Sequence, residues 1–458
     1  MTEPLRLAVV GHTNVGKTSF LRTLMRDAAF GEVSSRASTT RHVEGASLQI
    51  EGQPALELFD TPGLEDAMSL LDYLEQLRRP GERCDGPALL TEFLRGTEAQ
   101  HRFAQETKVL RRLLASDAGL YVIDARESVL PKYLDESQIL SLCGKPLFPV
   151  LNFVASSDNR AEEWREAMAR RGLHALLSFD SVAPPVDGEK RLYQSLALML
   201  PDAGPTLERL IVDREAQAAA RRRSACRLIA ELLIDVAALR QRVAAEPEAV
   251  EQAVGAMRRR VREREQQCTD ALLRLYGFRQ EDAVTGELPL ADGRWQDDLF
   301  HPETLKQLGV RVGGGLAAGT AAGAGLDLMV GGITLGAGTI LGGLAGGVSR
   351  AGRQFSVRLL GKLRGARQLS VDDAILAALA LRQRQLLRAL EARGHAAQQP
   401  VSLNAPKDDW LRGKLPPPLA TARAHPEWSS LDERPDLEQA NRQAQVGALA
   451  EEIKGSVD

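Results

Sequence analysis

Residues 5–10 (LRLAVV) form a near-continuous apolar run of strand length, the pattern of a strand buried on both faces. Ala46 to Glu51 alternates more, and Ala55 to Asp60 ends on an acidic residue. Gly119 to Asp124 (GLYVID) and Pro146 to Val154 (PLFPVLNFV) are further β-rich runs, and His174 to Phe179 is a weaker one. Amphipathic helical stretches separate most of them. The rhythm predicts an α/β domain over residues 1–200, a mostly parallel sheet with helices on both faces. The chain between Gly63 and the Gly119 strand is longer than one crossover helix needs, which predicts a helical insertion over about 64–115.

Beyond Pro205 the period turns helical. Leu228, Ile229, Leu232, Leu233, Val236 and Leu239 share one stripe, and Pro247 interrupts it. Val250, Val254, Met257, Val261, Cys268, Ala271 and Leu275 then recur at mostly 4-3 spacing, with Arg264 breaking the seam. This predicts an antiparallel helical hairpin within 205–300, whose helices at 205–280 could meet an unknown protein partner or self-associate. The mixed-sign run Arg258 to Glu265 reads as a solvated helix face. Residues 351–395 are expected to be helical, with a capping-box-like start at Ser370 and Asp373, apolar positions at Ile375, Leu379, Leu386 and Leu390, and a stop at Gly394. The tail at 396–458 is polar and holds seven of the 22 prolines, so it reads as extended or disordered.

Residues 312–349 differ from everything else: 14 of the 40 glycines fall in 38 positions, with one charge, Asp327. Gly315, Gly319 and Gly323 repeat every four residues, as do Gly338, Gly342 and Gly346. On helices such series make smooth stripes for close packing. Glycine costs a helix roughly 1 kcal/mol per site against alanine, so lipid or very close packing must compensate. A helical hairpin over 308–350 is expected, either inserted in a membrane or packed in a soluble domain. Arg350, Arg353, Arg358, Lys362, Arg364 and Arg367 follow it, where they could meet anionic headgroups.

Composition narrows the function classes. The 458 residues carry 58 basic and 61 acidic side chains, a net charge of -3, which argues against a surface built for nucleic acid. Four cysteines without a CxxC make a disulfide scaffold or zinc ribbon a poor fit. The N-terminal apolar run is too short for a signal peptide, so a cytoplasmic start is expected, with attachment at the inner membrane if 312–349 inserts.

The chemistry concentrates in three segments. Gly11-His12-Thr13-Asn14-Val15-Gly16-Lys17-Thr18 fits GxxxxGK[ST] between a predicted strand and an apparent helix, and Ser19 beside it is a further nucleotide-binding candidate. The glycines turn backbone N–H groups toward phosphate oxygens, Lys17 neutralises the β/γ-phosphates, and the Thr18 hydroxyl ligates Mg²⁺. Asp60-Thr61-Pro62-Gly63 follows the third strand. Asp60 can hold Mg²⁺, commonly through water, and the Gly63 N–H can reach the γ-phosphate. In Ser38-Thr39-Thr40-Arg41-His42, Thr40, or Thr39 in its place, is the candidate second Mg²⁺ hydroxyl.

At these segments the chain resembles translation-factor-type GTPases of the Era- and TrmE-like branch, over roughly the first 200 residues. The resemblance implies GTP/GDP as ligands and GTP hydrolysis with Mg²⁺. It also implies that Asn14 helps hold a K⁺ ion which stimulates hydrolysis. Leu64 stands where Ras-like members have a water-orienting glutamine, leaving Glu65 and Asp66 as nearby candidates. Of the family's base-reading NKxD, only Asn152 is retained, in Asn152-Phe153-Val154-Ala155. Asp180, after the last strand, could substitute in reading the base, or selectivity could be weak. The whole chain resembles bacterial proteins that join an Era-like GTPase domain to a C-terminal domain of unknown function with a glycine zipper. A nucleotide switch is therefore expected. The alternative is a membrane-interaction or assembly protein whose nucleotide domain regulates oligomerisation. Ribosome assembly, by analogy to Era, lacks a supporting GXXG loop after residue 205.

Overall fold

In the computed structural model the chain forms two compact units, 1–218 with 392–398, and 219–391 with 399–458. The structure describes residues 3–26, 44–78, 85–181, 184, 187–244, 246–278, 290–291, 294–295, 298–301, 357–363, 366–392 and 415–457. The Ser38 to His42 segment, the glycine-rich 312–349 and Gly394 lie outside them.

The first unit alternates strands and helices in the order β1 (Leu5–Val10), α1 (Lys17–Met25), β2 (Glu44–Ile50), β3 (Gln53–Asp60), α2 (Ala67–Leu77), α3 (Gly86–Arg95), α4 (Ala104–Leu114), β4 (Ala118–Asp124), α5 (Pro131–Ser141), β5 (Leu147–Asn152), α6 (Ala161–Arg170), β6 (Leu177–Ser178) and α7 (Gly188–Met199). The strands make one sheet in the order β2-β3-β1-β4-β5-β6. Only the β2–β3 pair is antiparallel. Period-2 alternation explains why both faces are covered. Leu7, Val9, Leu120 and Val122 join one core with Phe20, Leu24 and Tyr193, while Ala8, Val10, Tyr121 and Ile123 join the other with Leu70, Leu110 and Trp164. The expected α/β sheet is what forms.

The insertion consists of α2, α3 and α4. Their apolar stripes meet in the second of those cores, where Tyr73, Phe93 and Phe103 form a triangle with centroids 5.8–6.1 Å apart.

Helix α8 (Gly204–Ala238) carries the chain into the second unit, where β7 (Arg240–Ala244) and α9 (Pro247–Leu275) follow. The short ribbon β8 (Leu290–Ala291) and β9 (Arg294–Trp295) precedes β10 (Val357–Leu363), β11 (Ala366–Val371), α10 (Asp373–Ala392), α11 (Pro417–Ala422) and α12 (Ala440–Val457). The stripe Ile229, Leu232, Leu233, Val236 and Leu239 is wholly buried in this unit's own core, against Val261 and Leu272 of α9 and Leu379 and Leu386 of α10. The seam read as a self-association surface is thus used internally.

Four sequence expectations need correction. Residues 351–395 are not all helical: β10 and β11 pair antiparallel, and β11 pairs with β7 from more than a hundred residues upstream. Such short strands exist through their partners and leave little local signal. Ser370 lies in β11, and the helix is capped instead by Asp372, whose Oδ1 accepts the Ala374 N–H at 2.8 Å. Arg258 to Glu265 is not simply a solvated face, because Glu265 is buried and pairs with Arg382 at 3.3 Å. Burial pushes the Glu265 carboxyl up to about 7, with Arg382 opposing.

The fourth correction concerns the tail. Residues 415–457 are folded, and Leu419, Trp428, Val446, Leu449 and Ile453 sit in the core. A buried carboxylate holds them there. Asp235 of α8 accepts Ser430 N–H at 3.1 Å, Ser430 Oγ at 2.7 Å, Arg442 Nη2 at 3.0 Å and Arg264 Nε at 2.7 Å. Arg264, the residue that broke the apolar seam of α9, is one arm of this clamp.

Among the described residues no helix is long and apolar enough to cross a membrane. Asp235→Ala removes the carboxylate that two arginines share and is expected to destabilise the second unit by about 3–5 kcal/mol. A denaturant titration followed by circular dichroism measures it, and an unchanged midpoint would show that the clamp holds nothing.

Candidate nucleotide site

The site lies at the carboxyl ends of β1, β3, β4 and β5. Leaving β1, the chain turns through Gly11 (φ 142°), where a Cβ would lie 2.4 Å from the Val122 carbonyl. It passes the exposed Asn14 in left-handed conformation (φ 66°) and enters α1 through Gly16 (φ 87°). Gly11, Asn14 and Gly16 are thus the turning points of a loop whose amides can face an anion. Val15 is buried and anchors the loop, and Ser19 is buried one turn into the helix.

Lys17 is buried. Its Nζ donates to the carbonyls of Gly11 (3.1 Å) and His12 (2.7 Å). Burial lowers its pKa, while the charges of Asp60 and Glu136 work against that shift. Thr18 Oγ1 donates to Asp60 Oδ2 at 2.5 Å, and both side chains are buried. Two hard oxygen donors at the mouth of a phosphate loop suit a magnesium ion, which takes one or two protein ligands and completes its shell with water and phosphate. Gly63 packs against the same loop: a Cβ there would lie 2.4 Å from Thr13 Oγ1 and 2.6 Å from Thr13 N. Two of the three segments read from sequence, the phosphate loop and Asp60 to Gly63, therefore meet. Thr40 and Thr39 lie outside the described residues.

Leu64 cannot orient water. It is buried, and its N–H bonds the Gly11 carbonyl at 3.3 Å. Asp66 is occupied as the N-cap of α2, accepting Ser69 N–H at 3.2 Å. Both Glu65 and Asp66 give their backbone N–H groups to Glu106 Oε1, each at 3.2 Å. Glu106 is a buried carboxylate on α4 that the sequence reading did not single out.

Asn152 closes the other side. Its Nδ2 donates to Val15 O at 3.1 Å, and its Oδ1 accepts Phe153 N–H at 3.0 Å and Ser181 N–H at 2.9 Å. Asp180 is buried and accepts Ala155 N–H at 2.8 Å. It braces the loop after β5.

Under the loop lies a further network. His12 Nδ1 bonds Oε1 of the fully buried Glu136, Tyr121 donates to Glu136 Oε2 at 3.2 Å, and Lys132 Nζ meets His12 Nε2 at 3.2 Å. Burial raises the Glu136 pKa, opposed by His12, Lys17 and Tyr121. A glutamate among the apolar positions Tyr133, Ile139 and Leu140 of α5 was the available signal.

The family model described as 50S ribosome-binding GTPase matches residues 6–153, and the model described as Domain of unknown function (DUF3482) matches residues 165–451, more than half of the chain. The chain belongs to the DUF3482 family. Its N-terminal unit is a P-loop GTPase domain, joined in this member to the DUF3482 region. A tRNA modification GTPase MnmE from Mycoplasma mobile is 30% identical over 105 residues, 23% of each chain. A GTPase Der from Chloroflexus aurantiacus is 33% identical over 124 residues, 26% of each chain. The DUF3482 chain therefore spans about a quarter of the length of these relatives. Among solved structures, Aquifex aeolicus Era bound to GDP and AlF4⁻ has 20% identity and a TM-score of 0.29, covering 39% of this chain and 52% of that one.

Glu136 supplies a pH signature. Its folded-state pKa lies above the unfolded value of about 4.3, so its contribution is fully present below that pH and is lost as pH rises through the folded value. Glu136→Gln keeps an acceptor for His12 and removes the buried charge. The melting temperature of the variant is expected to gain on the parent as pH rises from about 4 to about 8. Parallel melting curves across that range would refute it.

Proposed function

We propose that this protein binds GTP, hydrolyses it to GDP and phosphate, and uses the bound nucleotide as a switch. The observation that carries the reading is the pairing of Thr18 with Asp60 beside a buried Lys17, with Gly63 packed on the same loop.

The Lys17 ammonium is held by two carbonyls of its own turn. A triphosphate offers it stronger, charged acceptors, so Lys17 exchanges those carbonyls for phosphate oxygens. Thr18 and Asp60, with Thr40 proposed from sequence alone, would hold the magnesium ion, which when bound offsets charge on the β- and γ-phosphates. The close packing of Gly63 on Thr13 leaves the Gly63 backbone beside the terminal phosphate position. Loss of that phosphate frees the loop at 60–66. Glu106 grips the same loop through two backbone N–H groups, so its movement is transmitted to α4 and the inserted helices.

Two finer elements belong to the same proposal. The exposed Asn14, on the outer turn of the loop, supports stimulation of hydrolysis by K⁺. The glycine repeats and basic flank of 312–349 support attachment to a membrane. If removing 312–349 leaves partition between membrane and soluble fractions unchanged, attachment runs through another segment.

Lys17→Ala is expected to lower GTP turnover by at least about 100-fold, the scale on which a phosphate-binding or oxyanion donor acts. Release of phosphate measured in K⁺ and in Na⁺ checks both parts of the reading. Turnover that persists in the variant would place hydrolysis elsewhere, and equal rates in the two salts would remove Asn14 from the scheme. Glu106→Ala should uncouple the insertion, so that nucleotide-dependent protection of 86–114 in hydrogen exchange disappears while nucleotide binding remains.

A further inference from the structure

Two flanks of the phosphate loop bear on how a nucleotide would lie. Its Thr13 side touches Gly63, and Asp60 lies with Thr18 on that flank. Its Val15–Gly16 side touches Asn152 and Phe153. With the terminal phosphate on the Gly63 side, the nucleoside leaves past Gly16 toward the ends of β5 and β6, where open α/β sheets receive their ligands. A Cβ on Gly16 would lie 3.0 Å from Phe153 Cζ, so the ring stands directly on that exit.

Phe153 is half-buried and is held in left-handed conformation (φ 59°). Arg126 lies over its ring with the guanidinium carbon 4.0 Å from the centroid. The guanidinium is fixed by Asp124, through Nε at 2.9 Å and Nη2 at 2.7 Å. Arg126 and Phe153 thus form a cation–π pair beside that exit. Among the described residues, the buried carboxylates beside this exit already hold other partners. Guanine presents N1–H and amino donors, which call for a carboxylate. Asp124 is committed to Arg126, Asp180 is buried against the Ala155 N–H, and Ala155 itself, exposed two residues after Phe153, offers a methyl group. Asp158 is exposed on the following turn, with Oδ1 accepting Ser157 Oγ at 3.2 Å.

We infer that the base is held by its face, stacked on the Arg126–Phe153 pair, and is not read at its edge, so the site takes purine nucleoside triphosphates as a class, ATP as well as GTP. The inference rests on the nucleotide reading of the phosphate loop given above. Every base offers a π-face, so stacking contributes affinity with little discrimination.

The test is titration calorimetry of the full chain with Mg²⁺ and GTP, ITP, ATP or inorganic tripolyphosphate, with Lys17→Ala as control. GTP, ITP and ATP are expected to bind within about threefold of one another and more tightly than tripolyphosphate, by roughly 5- to 100-fold. Arg126→Ala and Phe153→Ala should each weaken GTP and ATP by the same factor, with circular dichroism confirming that each variant is folded. The Arg126 variant carries the test if the packing of Phe153 on Gly16 proves necessary for folding. Lys17-dependent binding that favours GTP over ATP by more than about 30-fold, or GTP over ITP by a comparable factor, overturns the stacking inference and leaves the phosphate site standing. So does a GTP-to-ATP ratio that collapses in Asp158→Asn. Binding that is absent for every ligand, or indifferent to Lys17→Ala, overturns the phosphate-site reading together with the inference.

Discussion

A buried carboxamide must satisfy a carbonyl and an amino group without water, and Asn152 does so by joining three segments that share no sequence neighbourhood. It donates to Val15 of the phosphate loop and accepts from Phe153 after β5 and from Ser181 after β6. The shape of the nucleotide site follows from this. With Val15 tied to the end of β5, Gly16 is brought so close to Asn152 that a Cβ there would lie 2.4 Å from Nδ2. Only glycine fits. The helix that follows then begins with Lys17 and Thr18 facing Asp60. A side chain often regarded as part of a base-reading motif is here first of all a structural tie, retained although the charged members of that motif are absent.

The loop on the opposite flank is held from outside the sheet. Glu106 comes from the third helix of the insertion, and its carboxylate takes the two backbone N–H groups that follow Leu64. The insertion therefore touches the nucleotide site through main chain, which makes the contact indifferent to the side chains of Glu65 and Asp66 but sensitive to their backbone path. Leu64 is pinned between the Gly11 carbonyl and the apolar core. The chain after Gly63 is thus held between the phosphate loop and α4, with no glutamine in the water-orienting position.

The second unit is organised by buried charge. Asp235 gathers two arginines and two N–H or O–H donors of Ser430, and Glu265 pairs with Arg382 in the same unit. Such groups are expensive to bury unless every partner arrives. That cost makes the arrangement selective: Ser430 and Arg442 of the C-terminal segment both find their acceptor at Asp235. Residues 415–457 are held by these partners together with the buried Leu419, Trp428, Val446, Leu449 and Ile453.

The sequence alone determined the α/β unit, because period-2 runs separated by amphipathic helices leave few ways to cover a sheet. It also determined the phosphate loop and DTPG, because backbone turns that approach an anion admit few residue types. The helices of 205–275 were legible from their apolar stripes for the same reason. Tertiary structure decided what depends on distant partners. The strands β7, β10 and β11 exist through one another, and the apolar stripe of α8 is spent on a core it could have shared with a second copy. Asp180 is a brace because Ala155 lies against it, and Arg264 is a clamp because Asp235 does. Glu136 and Glu106, polar residues on helices with apolar faces, acquire their roles only when His12 and the loop after Gly63 are folded onto them. Periodicity reports which face of an element is buried, but a hydrogen bond between residues a hundred positions apart leaves no period to read.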